Sequence, residues 1–201
     1  MKRLIGVLFI VAMLIATSTQ ALTIVESTAG GSSLAVNTYL GQSLTTPTGP
    51  GWNQIQVNFF SPAGAPVAFG DLFLLGSEYL GAPADLNAAT PGFLAESTGI
   101  SGGEWIFADA VTLLPNTTYW FYSDALWVPG SMTGDGNVYA GGELYVNWPK
   151  GGAITSNFTK LGEDADFRVS GNPVPEPSTM LLLGSGLIGL AGYGRKKFFK
   201  K

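Results

Sequence analysis

Cysteine and histidine are both absent from the 201-residue chain. Their absence excludes disulfide bridges, a Ser-His-Asp triad, a cysteine nucleophile and a zinc site of the usual His/Cys type. Basic residues are also scarce between residues 22 and 173, where Lys150, Lys160 and Arg168 stand against thirteen acidic residues, giving a net charge of −10. Phosphate backbones are bound by clustered Lys and Arg, so this balance excludes a nucleic-acid partner.

The other seven of the ten basic residues lie at the two ends of the chain. At the N-terminus, Lys2 and Arg3 precede an almost wholly apolar stretch from Leu4 to Ala16, and the small residues Thr19 and Ala21 follow. This order is typical of a secretory signal peptide, which we predict over residues 1–21 with cleavage after Ala21. An uncleaved N-terminal anchor is the alternative.

The C-terminal end has three parts: the motif Val174-Pro175-Glu176-Pro177-Ser178, an apolar run from Thr179 to Gly194, and a basic end over residues 195–201. The two prolines of the motif favour an extended backbone. The apolar run predicts a transmembrane segment over residues 179–194, although it is short for a hydrocarbon core of about 30 Å. The positive-inside rule places the basic end, residues 195–201, in the cytoplasm.

This tail resembles the PEP-CTERM sorting signal of Gram-negative bacteria. The resemblance runs from Val174 to Lys201 and rests on Pro-Glu-Pro-Ser, the Gly-rich apolar run and the basic end. It implies that the tail is held in the membrane before processing. It also implies a partner, an exosortase, which is a membrane cysteine transpeptidase that recognises the motif and removes or replaces the tail. A simple C-terminal membrane anchor is the alternative.

Between the two ends, short segments of alternating polar and apolar residues are separated by turn residues. This pattern predicts an all-β fold: a single antiparallel β-sandwich over residues 22–171, jelly-roll-like, flanked by a signal-peptide helix and a transmembrane sorting helix. A linker over residues 172–178 carries the motif. The predicted strands are Leu22–Glu26, Trp52–Phe59, Ala65–Phe69, Leu72–Leu75, Glu104–Ala110, Thr117–Ser123, Gly142–Trp148 and Asp166–Ser170. Gly41–Gly51 and Gly81–Gly92 are predicted to be exposed loops.

One stretch of the sandwich resembles a known family. Phe107–Phe121 reads as a strand, a Leu-Pro-Asn turn and an aromatic strand; Tyr139-Ala140-Gly141-Gly142 and Asp166–Gly171 follow. This order of strands and turns is similar to that of the "choice-of-anchor" β-rich domains that precede surface anchors. The resemblance implies a surface or matrix protein and supplies no catalytic residues.

Five tryptophans offer either core packing or ligand contacts. Trp52, Trp105 and Trp120 lie within predicted strands, and we expect them in the core. Trp127 and Trp148 lie beside loops, where exposed rings would stack on sugars. A carbohydrate-binding module is therefore the alternative function, with Trp127 and Trp148 as the candidate glycan contacts.

Acidic and amide side chains in the predicted loops suggest a calcium-binding site. Asp135, Asn137, Asp164 and Asp166 are candidate Ca²⁺ ligands because that ion prefers six to eight oxygen atoms. The alternative is that these residues only form turns. Apart from this possible Ca²⁺, the sequence indicates no cofactor.

The sequence predicts an exported protein of the bacterial cell envelope or surface, associated with a biofilm or an extracellular polysaccharide matrix. We expect it not to be an enzyme. A glycoside hydrolase is a third reading, since two carboxylates about 5 to 9.5 Å apart would suffice for that chemistry.

Overall fold

The computed structural model describes residues 21–28, 38–61, 64, 66–125, 139–147, 157–175 and 182–189. These residues are almost entirely in strands, turns and irregular connections. One 3₁₀ helix spans Pro83–Asp85, and one short helix covers residues 182–189. The strands in chain order are β1 (Leu22–Ser27), β2 (Tyr39–Thr45), β3 (Gly51–Phe60), β4 (Pro66–Val67), β5 (Leu72–Leu75), β6 (Phe93–Glu96), β7 (Gly99–Ser101), β8 (Glu104–Ile106), β9 (Thr118–Ser123), β10 (Leu144–Asn147), β11 (Thr159–Leu161) and β12 (Phe167–Val174).

The strands form two antiparallel sheets. The first sheet has the order β1-β12-β3-β8-β7, with β4 paired to β3, and the second has the order β11-β10-β2-β9-β5-β6. The predicted all-β sandwich is confirmed at this level. The jelly-roll arrangement stays a prediction, and the predicted signal-peptide helix falls before the first residue that the structure describes.

The main core lies between the two sheets. Val57 and Val169 of the first sheet face Leu74 and Leu144 of the second within one cluster of buried apolar side chains. Trp105 is fully buried at its centre: its ring makes a T-shaped contact with Phe59 at a centroid distance of 5.7 Å, and its Nε1 donates to the carbonyl oxygen of Gly70 at 3.0 Å. The pairing of that indole N–H with a backbone carbonyl lets a large ring be buried without an unsatisfied donor.

A second group of buried rings lies on the outer face of the second sheet. We call it the outer aromatic cluster. Its buried members are Tyr39, Phe73, Leu75, Leu86, Tyr122, Tyr145 and Phe158, and its partly buried members are Tyr79, Phe93 and Trp120. The expected burial of Trp52 and Trp105 is confirmed. Trp120 differs because it is half-buried in the outer cluster, not between the sheets. In β9, Tyr119 and Phe121 fill the inner face and leave Trp120 and Tyr122 outside.

The best alternating segment of the sequence contains a bulge. Trp52 and Ile55 are both buried in β3 although three positions separate them. Gln54 adopts a positive φ of 51°, and the pairing with β12 shifts register between Ser170 and Asn172. A bulge adds one residue to a strand and restores the inward direction of the next apolar side chain.

One predicted loop is wrong. Gly41–Gly51 was expected to be an exposed connection, but β2 continues through Gly41 to Thr45 and only the residues after it turn. A Cβ atom at position 41 would lie 2.4 Å from Cδ1 of Tyr122, so the absent side chain makes room for that ring. The glycine thus serves close packing across strands, not a turn. The other predicted loop, Gly81–Gly92, contains the 3₁₀ helix Pro83–Asp85 and no strand.

Candidate functional site

The last strand carries the start of the candidate sorting motif. β12 lies between β1 and β3, and it pairs antiparallel with both. Phe167 is opposite Ser27 in β1 and Phe59 in β3, and Leu22 is opposite Gly171. Because β1 begins at Leu22, the residues of β12 after Gly171 pair with only one strand, β3, among the residues that the structure describes.

Gly171 allows a close approach of three strands. A Cβ atom there would lie 2.9 Å from the carbonyl oxygen of Asn53 and 2.9 Å from Cδ1 of Ile55, with Cδ1 of Ile24 at 3.1 Å. Its neighbour Asn172 donates through Nδ2 to Oε1 of Gln54. The bulge of β3 is therefore packed tightly against the point where β12 leaves β1.

The predicted boundary between domain and linker needs a correction. The linker was expected to begin at Asn172, whereas β12 continues to Val174, with Pro173 opposite Trp52 and Val174 opposite Gly51. Proline cannot donate to a ladder, so it is tolerated in a sheet at edges and bulges. Pro173 meets both conditions, since it follows the register shift and lies beyond the end of β1.

The motif itself emerges directly from this strand. Val174 is partly buried and Pro175 is exposed. Glu176, Pro177 and Ser178 are among the residues that the structure does not describe. Ala21, the last residue of the predicted signal peptide, is exposed and immediately precedes β1.

The described part of the apolar run is a helix over residues 182–189. Its large apolar side chains point into solvent: Leu182 and Ile188 are 75% and 77% exposed, and Leu183 and Leu187 are more than half exposed. The hydroxyl of Ser185 donates to the carbonyl oxygen of Leu182 at 3.0 Å. Within the residues described, the structure has no helix that is both apolar enough and long enough to cross a bilayer.

Asp164 is a structural carboxylate in the connection between β11 and β12. It has no exposed surface; its Oδ1 accepts from Nε2 of Gln42 at 3.0 Å, and its Oδ2 accepts from the backbone N–H of Tyr139 at 2.7 Å. Oε1 of the same Gln42 accepts from the N–H of Ala165 at 2.8 Å. Buried polar groups are stable when they are paired in this way.

The calcium and glycan predictions fall mostly on other parts of the chain. Trp127, Trp148, Asp135 and Asn137 lie outside the described residues. Asp166, two residues after Asp164, is also buried. Within the part of the chain that the structure describes, no group of three or more acidic side chains is placed to hold a metal ion. Calcium binding and glycan contact therefore stay predictions.

A polar depression opens at the far end of β1 and β12. It has a volume of about 270 Å³, and its lining includes Glu26, Phe60, Asp166 and Arg168. Arg168 donates from Nε and Nη2 to the two carboxylate oxygens of Glu26, at 3.1 and 2.8 Å, and its guanidinium carbon lies 5.3 Å from the centre of the Phe60 ring. The hydrogen bond from Arg168 lowers the pKa of Glu26 below its ordinary value.

Comparison with protein families identifies the tail. Residues 173–196 match the family model described as the PEP-CTERM protein-sorting motif. The match begins at Pro173, one residue before the predicted motif, and it therefore includes the last two residues of β12. The alternation of proline in Pro173-Val174-Pro175-Glu176-Pro177 is the sequence signal that would have found this residue.

The comparison with curated proteins found no match, and the comparison with solved structures found none either. The choice-of-anchor resemblance of the sandwich accordingly stays a prediction. The resemblance of the tail is confirmed: this chain carries a PEP-CTERM sorting motif at residues 173–196, joined without a spacer to the last strand of a β-sandwich.

Proposed function

We propose that this protein is exported and sorted to the cell envelope by an exosortase that processes its C-terminal tail. The observation that supports the proposal is the family match over residues 173–196. In this view the signal peptide is removed after Ala21, the apolar run 179–194 holds the unprocessed chain in the membrane, and the basic end stays in the cytoplasm. The role of Glu176 and its flanking prolines is that of a substrate, read by another enzyme.

The sandwich then acts outside the cell as a structural or interaction module. Its acidic composition supports solubility in that setting, since thirteen acidic and three basic residues lie between positions 22 and 173. An association with a biofilm or extracellular polysaccharide, and the absence of a catalytic role, belong to the same proposal.

The processing step can be tested with the double variant Glu176→Ala and Pro177→Ala. We expect the larger, membrane-bound form to accumulate in the native host, because the Pro-Glu-Pro motif is lost while the apolar run stays intact. Immunoblots of membrane and surface fractions measure this. The matched control is Pro91→Ala with Glu96→Ala, two exposed positions of the same residue types. An unchanged mature mass and location in the motif variant would argue against exosortase processing.

The polar outer face of the first sheet favours a second candidate, carbohydrate binding. Gln54, Gln56 and Asn172 lie there and are exposed or half-buried, on the same two strands as Arg168. Amide side chains both donate and accept hydrogen bonds, which suits sugar hydroxyls. Retention of the processed protein on immobilised polysaccharides, with and without Ca²⁺, tests this candidate. Loss of retention in Gln56→Ala is expected, and no retention of the native protein on any polysaccharide would rule it out.

A further inference from the structure

Both chain ends that lead to apolar segments leave the sandwich at the same end. β1 begins at Leu22, opposite Gly171, and β12 runs three residues further to Val174. Val174 pairs with Gly51, the first residue of β3. The mature N-terminus that we propose and the sorting motif are therefore on neighbouring strands.

Two loops cover this end and are joined by hydrogen bonds. We call residues 46–51 and 113–117, together with Leu22 and Val174, the tail end of the sandwich. The Thr46 hydroxyl donates to the carbonyl oxygen of Thr117 at 3.1 Å, and the N–H of Asn116 donates to the carbonyl oxygen of Pro47 at 3.3 Å. Next to these loops in sequence, Trp52 and Leu113 exchange two backbone hydrogen bonds, at 2.9 and 2.8 Å. The surface is thus a single connected patch.

The tail end carries no charged residue. Sixteen charged residues lie between positions 22 and 173, and none of them is in residues 46–51, residues 113–117, or at Leu22 and Val174. Two large apolar side chains point outward from it instead: Leu22 and Leu114 are each 57% exposed. The residues that define the tail end therefore contribute no carboxylate to this surface, although the domain as a whole is strongly acidic.

The chain beyond this end is very short. Only residues 175–178 separate the last strand residue from Thr179, where the apolar run begins. Four extended residues span at most about 14 Å. If the apolar run is inserted in a bilayer, as the proposed function requires, the tail end cannot lie further than this from the lipid surface.

We propose that the tail end of the sandwich is a membrane-contacting surface whose partner is the lipid bilayer itself. Carboxylates held against a bilayer would lose hydration and would be repelled by anionic headgroups over a distance of about 8 Å at physiological salt. The uncharged loops avoid both costs. Leu114 adds an apolar side chain that enters the headgroup boundary favourably.

The absence of cysteine makes a direct test simple, because a single introduced thiol is the only one in the chain. Thr48→Cys places a probe at an exposed position of the tail end, and Thr28→Cys places the same probe at an exposed position after β1, at the opposite end. The span of β12 between Phe167 and Val174 corresponds to about 23 Å, at roughly 3.3 Å per strand residue, which is enough to separate the two probes clearly.

Each fluorescently labelled chain, without residues 1–21 as in the proposed mature form, is reconstituted into vesicles of phosphatidylethanolamine and phosphatidylglycerol that contain a lipid with a nitroxide on its headgroup. Flotation first measures whether the chain is in the bilayer. We expect the nitroxide to remove roughly half of the emission at position 48 and less than about a tenth at position 28, given that separation along the strands.

The outcomes separate this inference from the function on which it rests. Floating chains with equal quenching at both positions, or stronger quenching at position 28, overturn the membrane-contacting surface and leave tail insertion intact. Chains that do not float overturn tail insertion and the inference together. Leu114→Glu sharpens the result. Quenching at position 48 should fall by about half, because this substitution brings a carboxylate to the membrane-contacting surface.

Discussion

The two outer faces of the sandwich differ in a way that their shared architecture does not suggest. The outer face of the first sheet is polar and open, with Gln54, Glu26 and Arg168 in contact with solvent. The outer face of the second sheet is aromatic and is covered by the segment after β5 and by Phe158. The ring centre of Phe158 lies 4.8 Å from that of Tyr122. An antiparallel sandwich usually leaves both outer faces exposed to solvent. In this protein, one of the two outer faces forms a second small core.

This difference shows that the same strand pattern can serve two environments. In β3, Gln and Asn alternate with apolar residues, and one side faces water. In β9, TYWFYS places rings on both sides, so the outer side also has to be covered. The cover is held by hydrogen bonds such as that from the Tyr79 N–H to the Tyr122 hydroxyl, at 3.1 Å.

Trp105→Ala should have the largest effect, because it removes a fully buried ring from the core that both sheets share. We expect a loss of about 4 kcal/mol in the free energy of unfolding, from the cavity and from the unpaired carbonyl of Gly70. Urea denaturation measures this. The control Leu114→Ala removes an exposed side chain and should change stability by less than about 0.5 kcal/mol. Similar costs for both variants would contradict the assignment of the core.

Tyr145→Phe probes the cover of the second sheet at a smaller scale. The hydroxyl of Tyr145 donates to Oε1 of Glu78 at 2.7 Å and accepts from Nε1 of Trp120 at 3.1 Å. Its removal should cost about 1 to 2 kcal/mol. Tyr39→Phe is the matched control, since Tyr39 belongs to the same cluster and the structure shows no hydrogen bond from its hydroxyl to a described residue.

The stability lost in Tyr145→Phe should also depend on pH in the alkaline range. Burial, and then the hydrogen bond to Glu78, raise the pKa of Tyr145 to about 12 from the ordinary 10. A raised pKa means that its contribution to stability is complete below pH 10 and is lost as the pH rises from 10 to 12. The deficit of Tyr145→Phe should therefore shrink across that window. A constant deficit would show that the hydroxyl is not protected by burial.

Two glutamates, one on each outer face, should give the smallest effects and opposite signs. Hydrogen bonding from Arg168 lowers the pKa of Glu26, whereas burial, Asp71 and Asp124 raise the pKa of Glu96 in β6. At pH 7, Glu26→Gln should destabilise and Glu96→Gln should stabilise the fold, each by no more than about 0.5 kcal/mol, because solvent screens exposed charges.

Acid titration checks the signs. The contribution of Glu26 is present above the ordinary pKa of 4.5 and is lost as the pH falls through its lower folded value. The penalty from Glu96 appears only as the pH rises through its raised value, so Glu96→Gln should match the native protein in acid. Thermal melts from pH 3 to pH 8 measure both. Equal signs for the two variants at pH 7 would contradict the comparison of the two faces.

Local patterns predicted the strands whose side chains alternate, and β3 and β5 lie where the sequence indicated them. They did not predict β2, because Gly41-Gln42-Ser43 has the composition of a turn. Its strand character depends on Tyr122, more than eighty positions later, which needs the space above Gly41. Long-range packing of this kind leaves no trace within a short window of sequence.

The sorting motif likewise combines local features, which the sequence predicts, with a long-range pairing, which it does not. Its residue types, order and apolar run are local features, and they were sufficient to identify it. The pairing of Pro173 and Val174 with β3 is not local, because Trp52 and Gly51 lie more than a hundred positions earlier. Two prolines in sequence suggest a linker, and only the end of β1 and the bulge of β3 explain why the strand continues.

The adjacency of β1 and β12 has a consequence for how the chain matures. The first and last strands of the described fold are partners, so the first sheet stays incomplete until residue 174 has become available. Such non-local closure is intrinsically slow and delays burial of the core. Because β12 also lies between β1 and β3, a chain truncated before residue 167 would lack both the sorting motif and the strand that joins β1 to the rest of the sheet. Completion of the first sheet and synthesis of the sorting motif therefore overlap at residues 173 and 174, which end the strand and begin the motif.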